Sequence, residues 1–466
     1  MLDPFHPSLR LLYRRFPGKA IGLWWEISSG DIIFVVNELE ASSDIAVRHL
    51  RRNFILGVVN GALFQFSNTL VSPSLVLPLF MRYLTDSHLL VGLIPSIQQA
   101  GWFLPQLVAS RYIQHRPQKK IYYSATAIVR AGSWGLLTIA LFTLGGSRLL
   151  LLAIFFSLLV VCSFSGGVGG ISFMDIVGKA IPVTRRGAFF GGRNFLGGIL
   201  AFMGGFIVKY ALDQSGYPFP ANFGLLFTLS FLALSVALFL FTQVVEPVGP
   251  VHEGEVALLQ QFRRAWGMVE NDALYRRFLF LRLCLMATQM ATPFYILYAR
   301  DRLGIPEGMV GLYLSAMTVV SVGSNLVWSR ISDRRSNKLL IQIASILGLG
   351  IPLSALFIPH LSGLFSPENL GYLFGIVFVL LGSHTAGAQI GNINFLLEIS
   401  PAAERPIYLG FANTLFGMAL LASAVGGVIV EVAGFDVLFS LTLAFYALAI
   451  GLSLTLKDPR EEIVGY

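Results

Sequence analysis

Charged residues are scarce in this chain. Only 12% of its 466 residues are Asp, Glu, Lys or Arg, whereas 55% are hydrophobic. A soluble protein carries about 25% charged residues, because each of its domains needs a polar surface in water. The composition therefore excludes a soluble fold and indicates an integral membrane protein.

Cysteine is almost absent as well. Cys162 and Cys284 lie in separate apolar stretches, so the chain has neither a disulfide framework nor a paired-cysteine metal motif. We predict no metal site and no cofactor. The net charge is +8, but Lys and Arg occur in short clusters between apolar runs. This distribution argues against nucleic acid as a partner.

Motifs of ATP-driven pumps and intramembrane enzymes are also missing. A phosphate-binding loop needs G-x-x-x-x-G-K-[ST], but Phe173 stands at the first glycine position and Ala180 follows Lys179. Neither HExxH nor G-x-S-x-G occurs. We therefore predict that the protein is not an enzyme, and an intramembrane enzyme is the least favoured alternative.

Long apolar runs fill the chain after residue 52. A helix needs about 20 apolar residues to cross the hydrocarbon core, and twelve runs reach that length. The predicted fold class is an all-α polytopic membrane protein with twelve transmembrane helices in two pseudo-symmetric six-helix bundles. The predicted spans are 54–80, 88–110, 121–144, 149–172, 188–212, 221–244, 277–299, 308–330, 339–359, 369–394, 406–431 and 436–456.

Lys and Arg are distributed unequally between the two sets of loops. The chain ends and alternate loops hold 26 of them, the opposite loops hold five, and Arg130 and Arg282 lie inside runs. Loops rich in Lys and Arg stay in the cytoplasm. Both termini are therefore predicted to be cytoplasmic, and we expect the plasma (inner) membrane as the location.

The two halves of the chain repeat each other at an offset of 219 residues. Polar residues from two separate regions align without gaps. The aligned pairs include Pro182 with Pro401, Arg186 with Arg405, Asn194 with Asn413, Arg111 with Arg330 and Lys119 with Lys338. Halves of equal orientation pack about a pseudo-two-fold axis along the membrane normal.

The repeat predicts five segments. Residues 1–52 form a cytoplasmic or interfacial segment, in which the apolar stretch Ile21 to Trp25 is too short to span a bilayer. Residues 53–245 and 277–456 form the two bundles. Residues 246–276 form a cytoplasmic linker with a helix-compatible stretch over 258–269, and residues 457–466 form a cytoplasmic tail.

This plan resembles the major facilitator superfamily of secondary transporters over about residues 53 to 456. The family has a loop signature, roughly G-x-L-a-D-R-x-G-R-K, between helices two and three and again between eight and nine. The second copy, SRISDRRSNK at Ser329–Lys338, keeps Asp333 and Arg334 in register. The first copy, SRYIQHRPQK, has Gln114 in place of Asp.

The resemblance implies a permease that moves a small solute by alternating access, with a coupling ion such as H+, membrane lipids around it and a monomeric chain. A carboxylate at a helix end can bond neighbouring arginines, so Asp333 is the main gating candidate. The turns before helices five and eleven also match the family plan, and their arginines orient those helices. The predicted gating residues are Arg330, Asp333, Arg334, Arg186 and Arg405.

Polar residues near the middle of the runs are candidates for the solute site, because polar groups at that depth are costly unless they line water or pair with each other. The predicted substrate-binding residues are Gln65, Asn68, Gln99, Arg130, Gln289, His384 and Gln389. His384 is either a bond between helices or a proton site. Arg130 either attracts an anionic solute or pairs internally.

A lipid-handling protein of the flippase or scramblase kind on the same fold is the main alternative, because a fold does not determine a function. The interfacial N-terminal segment and the 38 phenylalanines leave lipid movement open.

Overall fold

The computed structural model describes residues 45, 47–113, 116–213, 218–248, 258–401, 404–419 and 423–460. The predictions for the stretch from Ile21 to Trp25 and for the last six residues of the tail lie outside the described residues. The side chains of a few further residues inside helices, among them Arg405, are also outside the description.

Sixteen helices and no strand occur in the described part of the chain. Short 3-10 turns follow two of the helices, at Thr288–Ala291 and Ile358–Leu361. In chain order the helices are α1 Leu50–Leu70, α2 Val76–Leu84, α3 His88–Ile113, α4 Lys120–Leu144, α5 Arg148–Ala180, α6 Val183–Leu212, α7 Ala221–Thr242, α8 Leu258–Asn271, α9 Ala273–Ala287, α10 Thr292–Asp301, α11 Met309–Arg334, α12 Asn337–Phe357, α13 Pro367–Ile399, α14 Arg405–Ala419, α15 Ser423–Ala433 and α16 Phe435–Thr455.

Local sequence explains where several of these helices begin. The Asp272 side chain accepts a hydrogen bond from the backbone N–H of Tyr275 at the start of α9, and Ser336 caps α12 in the same way. Such caps satisfy backbone donors that have no partner within the helix. Gly434 has φ 86°, a conformation that favours glycine, and it separates α15 from α16.

The predicted all-α membrane fold is confirmed. Within the described residues, nine helices are long and apolar enough to cross a membrane. The count of twelve stays a prediction for the first, second and eleventh spans. Asparagine and glutamine side chains lower the hydropathy of α1 and α3, and the eleventh span consists of the short helices α14 and α15 on either side of residues that are not described.

Large apolar side chains cover the outside of the bundle. Leu149, Val432 and Ile128 are 81%, 82% and 74% exposed. In water this exposed area would favour aggregation, but in a bilayer the lipid tails cover it. The exposed apolar side chains are therefore consistent with a bundle whose apolar helices are surrounded by lipid.

The two halves pack in the same manner. In the first half α3 and α4 pack on α5, and in the second half α11 and α12 pack on α13. The halves meet where α6 packs on α11 and where α3 packs on α15. Each half therefore contributes the equivalent pair of helices to the interface, as the repeat at 219 residues predicts.

We name the two ends of the bundle after the chain ends. The terminal face is the end where α1 begins at Leu50 and α16 ends at Thr455. The distal face is the opposite end, where α2 leads into α3, α10 into α11 and α15 into α16.

Glycines allow the two halves to approach closely near the distal face. A Cβ atom at Gly311 of α11 would collide with the backbone of Gly205 and Lys209 in α6. A Cβ at Gly427 of α15 would likewise collide with the backbone of His88 at the start of α3. Close backbone packing of this kind is typical of glycine at contacts between transmembrane helices.

Candidate functional site

Two helix breaks lie at equivalent positions of the two halves. Residues 71–75 separate α1 from α2, and the turn Thr288–Ala291 separates α9 from α10. The offset of 219 places residues 69–72 opposite this turn. Broken helices are tolerated at membrane depth only where protein or a water-filled cavity surrounds them, and in many transporters they form the solute site. Gln289 lies in the second break and is exposed.

The predicted binding residues of α1 and α3 have different surroundings. Gln65 is half-buried and occupies the space beside Gly197 of α6. Asn68, almost one turn further along α1, is exposed, and Gln99 of α3 is half-buried. Gln65 thus contributes to the contact between α1 and α6, while Asn68 is the more accessible side chain of the two.

Arg130 lies inside the first half with no acidic partner. Its Cζ is 5.2 Å from the ring centroid of Phe64 in α1, and its guanidinium lies close to the Cys162 thiol in α5. Its Nε is buried and has no hydrogen-bond partner. Among the described residues no carboxylate forms an ion pair with it. Arg130 is therefore an uncompensated positive charge at membrane depth.

Arg282 of α9 is a second such charge, in the other half. Its Cζ lies 5.5 Å from the ring centroid of Phe416 in α14. The described part of the chain provides it with neither an ion pair nor a hydrogen bond. Sequence reasoning placed Arg282 inside a helix but did not include it among the binding residues.

Arg193 is a third arginine inside a helix, although it was not among the arginines predicted to lie inside the apolar runs. It lies ten residues inside α6 and donates hydrogen bonds to Gly57 O at 2.6 Å and Asn60 Oδ1 at 2.9 Å. Its Cζ is 4.7 Å from the ring centroid of Phe173. The signal was available, since residue 193 falls inside the predicted span 188–212.

His384 is 7% exposed, and both of its ring nitrogens meet protein atoms. Nδ1 lies 2.7 Å from Ala344 O in α12, and Nε2 lies 3.1 Å from Tyr446 Oη in α16. Of the two interpretations, the bond between helices is the one that this structure contains. Contact of His384 with a solute stays a prediction that this packing does not favour, whereas Gln389 of α13 is exposed.

Asp333 and its neighbours Arg330 and Arg334 are exposed at the end of α11. Within the described residues Asp333 has no ion pair and no hydrogen bond. The expected bonds between Asp333 and neighbouring arginines are thus not formed here, because all of these side chains extend into the surroundings. The gating role of Asp333 stays a prediction for a different conformation.

The two turn arginines differ in what the structure describes. Arg186 donates from Nε to Ile181 O at 3.1 Å and from Nη2 to Gly178 O. It thereby satisfies backbone acceptors at the C-terminal end of α5. Arg405 is the first residue of α14, and its side chain lies outside the description.

Polar contacts between the halves concentrate at the distal face. Arg82 Nε lies 3.2 Å from Asp301 Oδ2, with both side chains about one-fifth exposed. Residues 82 and 301 are 219 positions apart, so they occupy equivalent places in the repeat. Equivalent positions touch each other only close to a two-fold axis. This ion pair therefore lies near the pseudo-two-fold axis of the protein.

Two more contacts join the halves beside this pair. Tyr83 Oη donates to Glu307 Oε2 at 3.1 Å, and within the second half Arg300 Nε pairs with Glu307 Oε1 at 2.7 Å. Ser87 Oγ donates to Glu431 Oε1 at 2.6 Å. We call this set the distal latch. It consists of Arg82, Tyr83, Ser87, Arg300, Asp301, Glu307 and Glu431.

At the terminal face the polar networks stay within one half each. In the first half the buried carboxylate of Glu246 accepts from the backbone N–H groups of Lys119 and Lys120, both at 2.8 Å, and lies 3.2 Å from Lys179 Nζ. In the second half Glu398 accepts from Arg460 Nε at 2.8 Å and from Asn337 Nδ2 at 2.9 Å. Among the residues that the structure describes, neither of these networks reaches the other half.

A cavity of about 840 Å³ lies at the distal face between the halves. Its walls include Tyr83, Arg300 and Glu307 of the distal latch, together with Lys209 and Asp213 of the first half. The cavity therefore belongs to the side that the latch holds closed. Both signs of charge line it, unlike the surroundings of Arg130 and Arg282.

Two like-oriented helical bundles that meet around broken first helices define a polytopic membrane transporter fold. The chain belongs to the Major Facilitator Superfamily, whose family model matches residues 57–381 and 278–464. This finding confirms the resemblance seen in the loop signature.

Solved structures of transporters are similar to this chain. A mutant of the nucleoside transporter NupG has 14% sequence identity and a TM-score of 0.65, over 87% of this chain and 98% of that chain. A D-xylose-proton symporter has 13% identity and a TM-score of 0.66, over 88% and 98%. A bacterial homologue of the iron transporter ferroportin in an inward-facing state has 14% identity and a TM-score of 0.61, over 87% and 99%.

Identities this low establish the common fold alone. No curated protein sequence matches this chain.

Proposed function

We propose that this protein is a secondary active transporter that moves a small solute by alternating access. One observation carries the proposal. In the described residues, hydrogen bonds and ion pairs between the halves lie on the distal side, whereas the terminal-face networks stay within one half each. A closed distal face above two broken helices is the geometry of one end state of such a cycle.

The helix contacts between the halves fit a rocking motion. The α6–α11 and α3–α15 contacts are built around glycine, with little side-chain interdigitation at Gly205, Gly311 and Gly427. Because such contacts have few interlocking side chains, two helices can rotate against each other without large repacking. The distal latch consists of polar groups that water can solvate once they separate. Opening of the distal face is therefore the step that this architecture favours.

The positive-inside distribution assigns the terminal face to the cytoplasm in this proposal. The structure then corresponds to the form that is closed toward the outside of the cell. The chain contains no phosphate-binding loop, so the gradient of the solute or of a coupling ion such as H+ supplies the energy.

Two thiol reporters test alternating access without knowledge of the solute. Cys162, half-buried beside Arg130, reports on the inner region when Cys284 is replaced by Ser. Leu212→Cys, at a residue that lines the distal cavity and is 6% exposed, reports on the distal side in a chain without the two natural cysteines. Each reporter is combined with Asp301→Arg, which places two like charges in the distal latch. Labelling rates are measured in proteoliposomes.

We expect Asp301→Arg to speed labelling at the distal reporter and to slow it at Cys162 from the terminal side. Asp436→Arg is the matched control, because Asp436 is exposed at the start of α16 and the structure shows no ion pair for it. Faster labelling at both reporters would indicate a continuous path and contradict alternating access. Scrambling of phospholipids by the same proteoliposomes without a gradient would support the lipid-handling alternative instead.

A further inference from the structure

The arginines inside the helices are unusual because acidic residues do not neutralise them. Arg130, Arg193 and Arg282 lie within α4, α6 and α9. The ion pairs of the described residues involve other groups, such as Lys179 with Asp175 and Arg460 with Glu398 near the terminal face. A cation in a region of low dielectric is unfavourable unless an anion, a hydrogen-bond acceptor or water compensates it.

The three arginines differ in the groups that compensate their positive charge. Arg193 has two oxygen acceptors, Gly57 O and Asn60 Oδ1, within 2.9 Å. Its charge therefore has a structural role between α6 and α1. Arg130 and Arg282 have no oxygen acceptor among the described residues, and a phenylalanine ring lies beside each of them.

A phenylalanine ring leaves most of the hydrogen-bond donors of a guanidinium without an acceptor. The ring attracts the positive charge through its π face, but the five N–H donors of an arginine need acceptors such as carboxylate or phosphate oxygens. The buried Nε of Arg130 is a donor of this kind without a partner. Both arginines are thus prepared to bind an oxyanion.

A chain of contacts connects the two arginines across the interface between the halves. Arg130 and Trp102 both border Gly166 of α5. Phe103, the next residue after Trp102, packs against Gly417 of α14 in the other half. Phe416 is the residue before Gly417, and its ring centroid lies 5.5 Å from Arg282 Cζ. The two arginines therefore flank one contact between the halves.

The two arginines also lie at similar depth. Arg130 is ten residues from the start of α4, and Arg282 is nine residues from the start of α9, both counted from the terminal face. At 1.5 Å per residue each is about 15 Å inside the bundle. One cation from each half thus lies at a comparable level, between the distal latch and the terminal face.

From this arrangement we infer that the solute is a small organic anion whose carboxylate or phosphate group is bound by Arg130 and Arg282. The inference rests on the proposed transport function and adds the substrate class to it. An anion that contacts one arginine from each half draws the halves together at this level. Binding would thereby favour closure of the terminal side, which is the coupling that an alternating-access cycle needs.

Charged thiol reagents test the inference directly at one thiol beside each arginine. Cys162 lies close to Arg130, and Phe416→Cys, in a chain without the two natural cysteines, places a thiol at the residue whose ring centroid is 5.5 Å from Arg282 Cζ. The probes are an anionic sulfonate and a cationic ammonium methanethiosulfonate of similar size, applied from the terminal side to proteins that retain one cysteine. We expect the anionic reagent to react about tenfold faster than its intrinsic rate relative to the cationic one predicts.

The arginine variants distinguish the effect of each arginine's own charge from the effect of the net positive charge of the protein. Arg130→Gln should abolish the preference at Cys162 and leave most of it at the thiol of Phe416→Cys, and Arg282→Gln should do the opposite. Arg130→Lys and Arg282→Lys retain the charge and should retain the preference, even where folding is less efficient. Arg148→Gln is the matched control, because Arg148 is an exposed arginine at the distal start of α5. No preference in the natural chain, or one that survives both Gln variants, would overturn the inference.

A solute screen then separates this inference from the proposed function. Inorganic phosphate, a dicarboxylate, a neutral sugar and an alkylamine are compared by the rise in melting temperature of the purified protein. We expect stabilisation by an anion that is lost in both Gln variants and kept in Arg148→Gln. Stabilisation and transport of only a neutral or cationic solute, unchanged in the Gln variants, would refute the anion site but leave the transporter intact. If the two thiol reporters never respond in opposite directions, alternating access fails, whichever solute binds.

Discussion

The distal and terminal faces of this protein differ in whether their charged residues bond between the two halves or within one half. At the distal face the ion pair between Arg82 and Asp301 and the bond between Tyr83 and Glu307 join the two halves. At the terminal face Glu246 and Glu398 hold together helices and loops of one half each. Bonds within a half survive a rocking motion, whereas bonds between halves must break. The placement of the bonds thus indicates that the distal face is closed in this structure and that each half is preserved as a unit.

Substitution of Glu246 has the largest expected effect. It tests whether the bonds within one half at the terminal face stabilise the fold. Glu246→Ala removes the acceptor for two backbone N–H groups and the partner of Lys179 in a buried site. We expect a loss of about 3 kcal/mol in the free energy of unfolding, because the remaining groups stay buried without partners. Thermal unfolding in detergent measures the loss.

Glu246→Gln retains an acceptor and should lose less stability than the alanine variant. The ratio of distal to inner thiol labelling should not change in either variant. A change in that ratio would show that Glu246 takes part in the motion between the halves.

Gly311 tests the contact between the halves near the distal face. Gly311→Ala places a Cβ atom against the backbone of Gly205 and Lys209, so α6 and α11 must separate. We expect a loss of about 2 kcal/mol and a lower melting temperature. Gly323→Ala in the same helix meets open space and should keep the natural melting temperature. Equal melting temperatures of the two variants would mean that the close approach contributes nothing.

The ion pair of the distal latch should respond to a charge exchange. Asp301→Arg alone repels Arg82, and the double change Arg82→Asp with Asp301→Arg restores opposite charges across the pseudo-two-fold axis. For a partly buried pair we expect about 1 kcal/mol, or about a fivefold change in the ratio of closed to open distal faces. The labelling rate at Leu212→Cys measures this ratio. If the double variant is labelled as fast as Asp301→Arg alone, the ion pair does not hold the distal face closed.

Asp333 gives the smallest expected effect. It is exposed, and the structure describes no ion pair for it, so Asp333→Asn should change the free energy of unfolding by less than about 0.5 kcal/mol. If Asp333 forms bonds only when the terminal face closes, the variant should slow labelling of the distal reporter. Asp175→Asn, which removes the partner of Lys179 at 2.5 Å, is the paired control for a carboxylate that is already bonded.

The helical architecture was accessible from the sequence because hydropathy acts locally. Long apolar runs, the Lys and Arg distribution and the repeat at 219 residues depend on composition and spacing alone. The start of α9 near residue 273 and that of α12 at residue 337 fall within a few residues of the predicted boundaries. The breaks after Leu70 and Ala287 were not predicted, because an apolar run looks the same whether or not its backbone is continuous.

The candidate site was only partly accessible from the sequence. Depth along a run identified Arg130, Gln289 and Gln389 as polar residues within the membrane region, and the structure leaves both glutamines exposed. Depth alone did not show that both ring nitrogens of His384 meet protein atoms, since Ala344 and Tyr446 are 40 and 62 residues away. The direction of a side chain around its helix depends on the neighbours, and these are distant in the chain.

The repeat also contains a signal for the contact at the distal face. Arg82 and Asp301 carry opposite charges at positions separated by the offset of 219. Two equivalent positions can form an ion pair only close to the axis that relates the halves. Opposite charges at that offset are therefore a sequence signature of this pair, although the predicted gating residues did not include it.

The sequence by itself determined that this protein is a bundle of membrane helices in two related halves, because the cost of placing polar backbone and charge in lipid leaves few other solutions. It also determined that arginines without nearby carboxylates lie inside those helices. Only the tertiary structure decided which face is closed, which arginine has partners and which two remain without them. These properties depend on contacts between residues far apart in the chain, and local composition carries no information about such contacts.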